Sequence, residues 1–108
     1  MKLTSYLQDR QLTIALCGEI DHHTAKEMMA EIANKIDSYM PSVCILDYRD
    51  VTFMDSSGIA VVIRTIRKMR ELEGKTYLQN LPLQAAKVLH AAGIEKIVEI
   101  REEARNEI

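Results

Sequence analysis

An α/β fold is predicted from three observations. Apolar runs of strand length recur along the chain, stretches with helical periodicity lie between them, and the connections are short and carry turn residues. Strands and helices that alternate in this way build one sheet with crossover connections.

The elements follow in chain order. "KLTSYLQ" (2–8) and "QLTIALCGEI" (11–20) alternate apolar and polar residues around the polar pair "DR", which predicts an opening antiparallel hairpin closed by Gly18. From Thr24 the spacing changes: Ala25, Met28, Met29, Ile32, Ala33, Ile36 and Met40 make one stripe, with Lys26, Glu27, Glu31 and Lys35 off it. Thr24 and Glu27 fit a capping box, Asp21 competes for the cap, and Pro41 ends the helix. "SVCILDY" (42–48) is a nearly continuous apolar run, as expected of an interior strand, and "VTFMD" (51–55) follows after the polar break "RD". A second helix is expected from about Ser57 to Glu73, with Ile59, Val62, Ile63, Ile66 and Met69 inward and Gly74 as its stop. "KTYLQNL" (75–81) is the next strand. "PLQAAKVLHAAG" (82–93) is a short helix bounded by Pro82 and Gly93, "KIVEI" (96–100) a last strand, and "REEARNEI" (101–108) a charged tail, helical or frayed.

A length of 108 residues, 47% hydrophobic and 28% charged, suits a single domain over 1–108 with its core at about 2–100. A formal net charge of -2 gives no global attraction to nucleic acid or to an anionic membrane. The first residues lack the apolar core of a secretory signal and no run is long enough to span a bilayer, so a cytoplasmic protein is expected. Cys17 and Cys44 lie in apolar, strand-like stretches without a CxxC spacing, as buried reduced thiols do. The single Phe53 and the methionines are expected in the core.

"VTFMDSSGIAVVIRTI" (51–66) carries the candidate chemistry. The hydrophobic period changes from 2 to 3.6 within it, and Asp55, Ser56 and Ser57 stand at the change. Asp and Ser are preferred caps, but a helix start needs one cap and here there are three candidates. In an α/β sheet, such a turn opens on the crevice where ligands bind. The stretch has one glycine and no phosphate-binding Gly-x-x-x-x-Gly-Lys spacing, so it does not cradle a nucleotide. A hydrolase could pair Ser56 with His22 or His23 and with Asp21 or Asp55, yet the Gly-x-Ser-x-Gly elbow is absent. Adjacent histidines rarely chelate one metal together, and no metal or cofactor is called for. Ser56 as a substrate is the remaining reading. A phosphate there would add roughly -1.5 to -2 charges at a helix N-terminus that tolerates them, and would act on whatever docks at that surface.

"GEIDHHTA" (18–25) and "VTFMDSSGIAVV" (51–62), with the intervening helix and "LDY", resemble the anti-sigma factor antagonists of the STAS-domain family, those of the sporulation factor sigma-F most of all. The resemblance runs from the first hairpin to about Ile100. It implies a mixed sheet of four or five strands with helices packed on one side. It also implies a non-enzymatic partner switch. The antagonist binds an anti-sigma factor that is itself a serine kinase, so the sigma factor goes free. Phosphorylation of the serine after the motif aspartate ends the binding, and a serine phosphatase restores it. Carried onto this chain, Ser56 is the phosphoacceptor, Asp55 its positioning acid and Ser57 a weaker acceptor. Gly58 permits close approach of the partner backbone, and Asp21 is the second acid on a neighbouring loop, flanked by His22 and His23.

The partner surface would continue through Ile59 and Ala60 to the basic residues Arg64, Arg67, Lys68 and Arg70, which could attract an acidic kinase surface. Ala60 departs from the family, where glycine is common. The free protein is expected to be a monomer. The alternative job on the same fold is a STAS subunit of a stress-sensing scaffold or of a membrane lipid-transport system; retention of Asp55 and Ser56 disfavours the transporter reading.

Overall fold

The computed structural model describes residues 3–103. Strand β1 (Leu3–Gln8) and strand β2 (Gln11–Ile20) form the expected antiparallel hairpin. Asp9 and Arg10 both take positive φ, 52° and 64°, the backbone of a type I′ turn whose twist matches that of the strands it joins. Lys2, counted with the first strand from sequence, lies outside the described residues. Gly18 does not close β2. It sits inside the strand at φ 82°, at an irregularity in the register against the next strand, and the chain continues to Ile20.

Helix α1 (His22–Tyr39) starts two residues before the expected Thr24. The capping box is made by Asp21 and Thr24 rather than by Thr24 and Glu27. The Thr24 N–H donates to Asp21 Oδ1 at 2.9 Å and the Asp21 N–H donates to Thr24 Oγ1 at 2.9 Å. The Thr24 hydroxyl also donates to the Glu19 carbonyl at 2.9 Å, which locks the box to the end of β2. At the far end Met40 takes left-handed geometry and its N–H donates to the Ile36 carbonyl, so the helix has closed by Pro41.

Strand β3 (Val43–Met54) joins the two segments that the polar pair Arg49-Asp50 was expected to separate. The pair stays in the strand because β2 continues alongside it, with Cys17 opposite Asp50, and its side chains are exposed. Helix α2 (Ser57–Glu71), strand β4 (Lys75–Leu81) and helix α3 (Leu83–Ala91) follow. Residues Ile94–Lys96 form a 3-10 turn, so strand β5 (Glu99–Glu103) begins later than the expected 96–100 and takes in the start of the charged tail. The rest of that tail, 104–108, lies outside the described residues. No helix among the described residues is long and apolar enough to cross a membrane.

The five strands lie in the order β1-β2-β3-β4-β5, antiparallel at the first pair and parallel at the other three. This is the mixed sheet that the resemblance implies. Ile14, Leu46, Leu78 and Ile100 are cross-strand neighbours on the face that carries the core. Met28, Ile32 and Ile36 of α1, Val62, Ile66 and Met69 of α2, and Ala85, Ala86 and Leu89 of α3 all enter that same core, so the helices pack on one side. Each fully buried aliphatic side chain contributes about 1.5–3 kcal/mol, which makes this layer the main source of stability. The opposite face carries the row Tyr6, Thr13, Ile45, Tyr77, with the Arg101 guanidinium 3.8 Å over the Tyr77 ring.

Two burial expectations are corrected. Cys44 is buried, and burial pushes its thiol up to about 12, but Cys17 is exposed because it follows core-facing Leu16 and so points to the sheet face that the helices leave uncovered. Phe53 is 46% exposed, and Met40 is exposed while Met28, Met54 and Met69 are buried. A strict alternation would place Val51 and Phe53 on one face; the register shift between Gly18 and Glu19 breaks that alternation, and Val51 and Met54 turn inward instead.

Pairing of β3 with β4 stops at Asp47 and Gln79, whereas β2 accompanies β3 to Met54. The bare edge at Met54 is completed by a side chain. The Met54 N–H donates to Gln84 Oε1 at 2.8 Å, and Gln84 Nε2 donates to the Met54 carbonyl at 2.8 Å. Gln84 thus serves as a one-residue strand, and it fixes the last residue before Asp55.

The α2 turn that follows is packed as tightly. A methyl group on Gly58 would lie 2.3 Å from Met54 Sδ and 2.5 Å from Met54 Cγ, and Met54 is wholly buried. Replacing Gln84 by Leu is expected to lower stability by about 1–3 kcal/mol, since both Met54 backbone groups lose their partner. Gly58→Ala is expected to be destabilising by about 1–3 kcal/mol through overpacking, against a helix-propensity gain of about 1 kcal/mol. Urea unfolding of both variants beside the parent chain measures these costs.

Candidate functional site

β2 and β3 are parallel neighbours, so their carboxyl ends lie side by side. Ile20 faces Met54, and the Asp55 N–H donates to the Ile20 carbonyl at 3.0 Å. The β2–α1 junction with Asp21 and the β3–α2 turn with Asp55, Ser56 and Ser57 therefore form one surface. The sequence motifs "GEIDHHTA" and "VTFMDSSGIAVV", more than twenty residues apart in the chain, meet there.

Within the turn the three polar residues have different jobs. Asp55 is half-buried, and its Oδ1 accepts the Ser57 N–H at 2.7 Å, which is the capping contact of α2. The Gly58 and Ile59 N–H groups donate to the Asp55 and Ser56 carbonyls at 3.1 Å, so the turn satisfies its own first amides. Ser56 precedes the helix with φ -64° and ψ -15°, is exposed, and its side chain makes no capping bond. Its hydroxyl is spare. Ser57 is half-buried as the first residue of the helix.

Asp21 is committed to the α1 cap. The Thr24 backbone N–H, with help from the Thr24 hydroxyl, holds its carboxyl below the ordinary carboxylate range. His22 and His23 are exposed in the first turn of α1, not on a loop, and His23 Nε2 lies 3.7 Å from Glu27 Oε2. No group of three His, Cys, Asp or Glu side chains that could hold a metal ion occurs among the described residues.

Along α2, Ile59 is half-buried against the core, while Ala60, Arg64 and Arg67 are exposed. Spacings of four and three put these last three on one stripe leading away from Ser56. Gly58 is buried, and the backbone approach it permits is to Met54 of its own chain. Lys68 is drawn out of the basic patch by Asp37 of α1, 2.8 Å away, a hydrogen bond that raises the lysine pKa. Arg70 is exposed.

Two residues of this surface escape a sequence reading. Gln84 is distant in sequence and carries no motif. Phe53 stands opposite Glu19 near the turn as an exposed aromatic, and alternation alone assigns it inward.

Residues 3–106 match the family model described as the STAS domain. An anti-sigma F factor antagonist of Lysinibacillus sphaericus is 31% identical over 83 residues, covering 77% of this chain and 71% of the relative. Among solved structures, the anti-sigma factor antagonist SpoIIAA in its unphosphorylated form superposes with a TM-score of 0.79 at 27% identity, over 96% of this chain and 89% of that one. The Bacillus cell fate determinant SpoIIAA in its phosphorylated form superposes with a TM-score of 0.71 at 26% identity, over 96% of this chain and 92% of that one. With the motif pair, the mixed sheet and the one-sided helical layer all present, the chain belongs to the STAS domain family, among its anti-sigma factor antagonists.

Proposed function

We propose that this protein is a non-enzymatic anti-anti-sigma factor whose binding to an anti-sigma factor serine kinase is switched off by phosphorylation of Ser56 and restored by a serine phosphatase. The observation that carries the reading is the division of labour at the β3–α2 turn. Asp55 holds the cap, so Ser56 presents an exposed hydroxyl that the fold does not use. A kinase can take that hydroxyl without unfolding the helix start. The similarity to a solved relative described in both an unphosphorylated and a phosphorylated form supports a modification that leaves the fold in place.

In the unmodified state the docking surface runs from Asp21, His22 and His23 across Ser56 and Ser57 to Ile59 and Ala60, and along the stripe of Arg64 and Arg67. Phosphorylation would place about -1.5 to -2 charges near the Asp55 carboxylate. The α2 dipole offsets part of that charge, at typically 0.3–1 kcal/mol. A partner packed against Ser56 meets both the added bulk and a charge it must desolvate, and releases the domain. The free sigma factor is then recaptured by its anti-sigma factor.

Incubation with ATP, magnesium and a small serine kinase of the anti-sigma type, read by intact mass and site mapping, is expected to add one phosphate at Ser56. No phosphate should appear on Ser56→Ala; a phosphate elsewhere, or none, refutes the assignment. Ser56→Ala should unfold within about 0.5 kcal/mol of the parent because its side chain caps nothing, whereas Asp55→Ala should lose about 1 kcal/mol. Ser56→Asp should weaken kinase binding while its circular dichroism spectrum and melting temperature stay close to those of the parent.

A further inference from the structure

Away from the switch, α1 and α2 leave a groove of about 470 Å³ between them, within the size range of small-molecule sites, which is roughly 300–1,000 Å³. Its floor is apolar. Met29, Ala30, Ala33 and Ile36 of α1 line it, and the two alanines stand where larger side chains would fill the space. The only hydroxyl among its lining residues, that of Thr65, already donates to the Val61 carbonyl at 2.8 Å, so the floor offers little for a polar ligand to bind.

The charge around this floor has one sign. Lys26, Arg64 and Lys68 line the groove, and no acid does, although the whole chain carries a formal net charge of -2. Lys68 is held by Asp37, and that ion pair ties α2 to α1 at one end. Lys26 and Arg64 pair with no acid among the described residues. Lys26 lies eleven positions before Asp37, roughly 16 Å along the helix at 1.5 Å per residue. An apolar slot with cations at its rim complements a chain molecule that has one negative end.

We propose that the α1–α2 groove is a binding site for a single-tailed amphipathic anion of the long-chain carboxylate class, its tail along Met29, Ala30 and Ala33 and its head between Lys26 and Arg64. The site does not require Ser56, although its Arg64 also lies on the stripe assigned above to the partner surface. It uses no group of the β3–α2 turn.

Decanoate below its micellar concentration is the probe, titrated into the full chain by calorimetry and by amide resonances. One-to-one saturable binding is expected, with shifts concentrated in α1 and α2. Ala33→Leu, which fills the slot, and Arg64→Gln, which removes a head contact, should each weaken binding at least tenfold while circular dichroism shows both folded. Decanol, with the same tail and no charge, should bind at least tenfold more weakly than decanoate. The proposal is overturned by absence of saturation, by binding that Ala33→Leu leaves unchanged, or by equal affinity for decanol. An acidic amphipathic peptide that shifts the groove resonances where decanoate does not would assign the groove to protein docking and overturn it equally.

Discussion

Parallel pairing of β2 with β3 is the constraint on which the rest of the molecule depends. It buries the row through Ile14 and Leu46 at the centre of the core, and it brings the ends of both strands to one level. The hydrogen bond from the Asp55 N–H to the Ile20 carbonyl is the last rung of that ladder, and both junctions of the candidate surface hang from it. Two helices leave the sheet at this rung, each opened by an aspartate cap. Without the shared register, the two motifs of the sequence, an acid before a helix and a serine before a helix, would be unrelated features.

Support for the turn comes from both flanks. On one side β2 supplies the Ile20 carbonyl; on the other, beyond the end of β4, the Gln84 amide substitutes for a missing strand. Met54 is pinned between them, and Gly58 is the residue that lets α2 descend onto its side chain. The turn is thus held by hydrogen bonds on both flanks in the free chain, and on the proposed reading this leaves little ordering cost on binding. Neither serine of the turn uses its hydroxyl in a hydrogen bond, but Ser56 is exposed where Ser57 is half-buried, so on the proposed reading Ser56 is the residue a modification would alter with least damage to the fold.

α2 separates two surfaces. Its N-terminal end meets the β2–α1 junction, and its flank forms one wall of the groove against α1. The Lys68–Asp37 ion pair, between partly exposed side chains, is a weak energetic contribution but a fixed geometric link between the helices. Basic residues that look like one patch in sequence are divided by this packing. Lys68 turns toward α1, Arg64 borders the groove from its place on the exposed stripe, and Arg67 stays on that stripe away from the groove.

The sequence by itself determined the element order, the hairpin, the helical stripes and the position of the Asp55-Ser56 turn, because these depend on hydrophobic period and on local turn and cap chemistry within a few residues. It left open whether Asp21 or Thr24 caps α1, and it placed Phe53 and Cys17 in the core. Tertiary structure decided these. The Thr24 hydroxyl takes its place through the Glu19 carbonyl, the packing of all helices on one side leaves Cys17 on the uncovered face, and the irregular register of β2 against β3 leaves Phe53 exposed. Only the fold could show Gln84 completing the edge at Met54, or the groove between α1 and α2, since each depends on groups thirty or more residues apart. Period and propensity are short-range properties of a chain, whereas register and edge completion are set by which neighbour lies alongside.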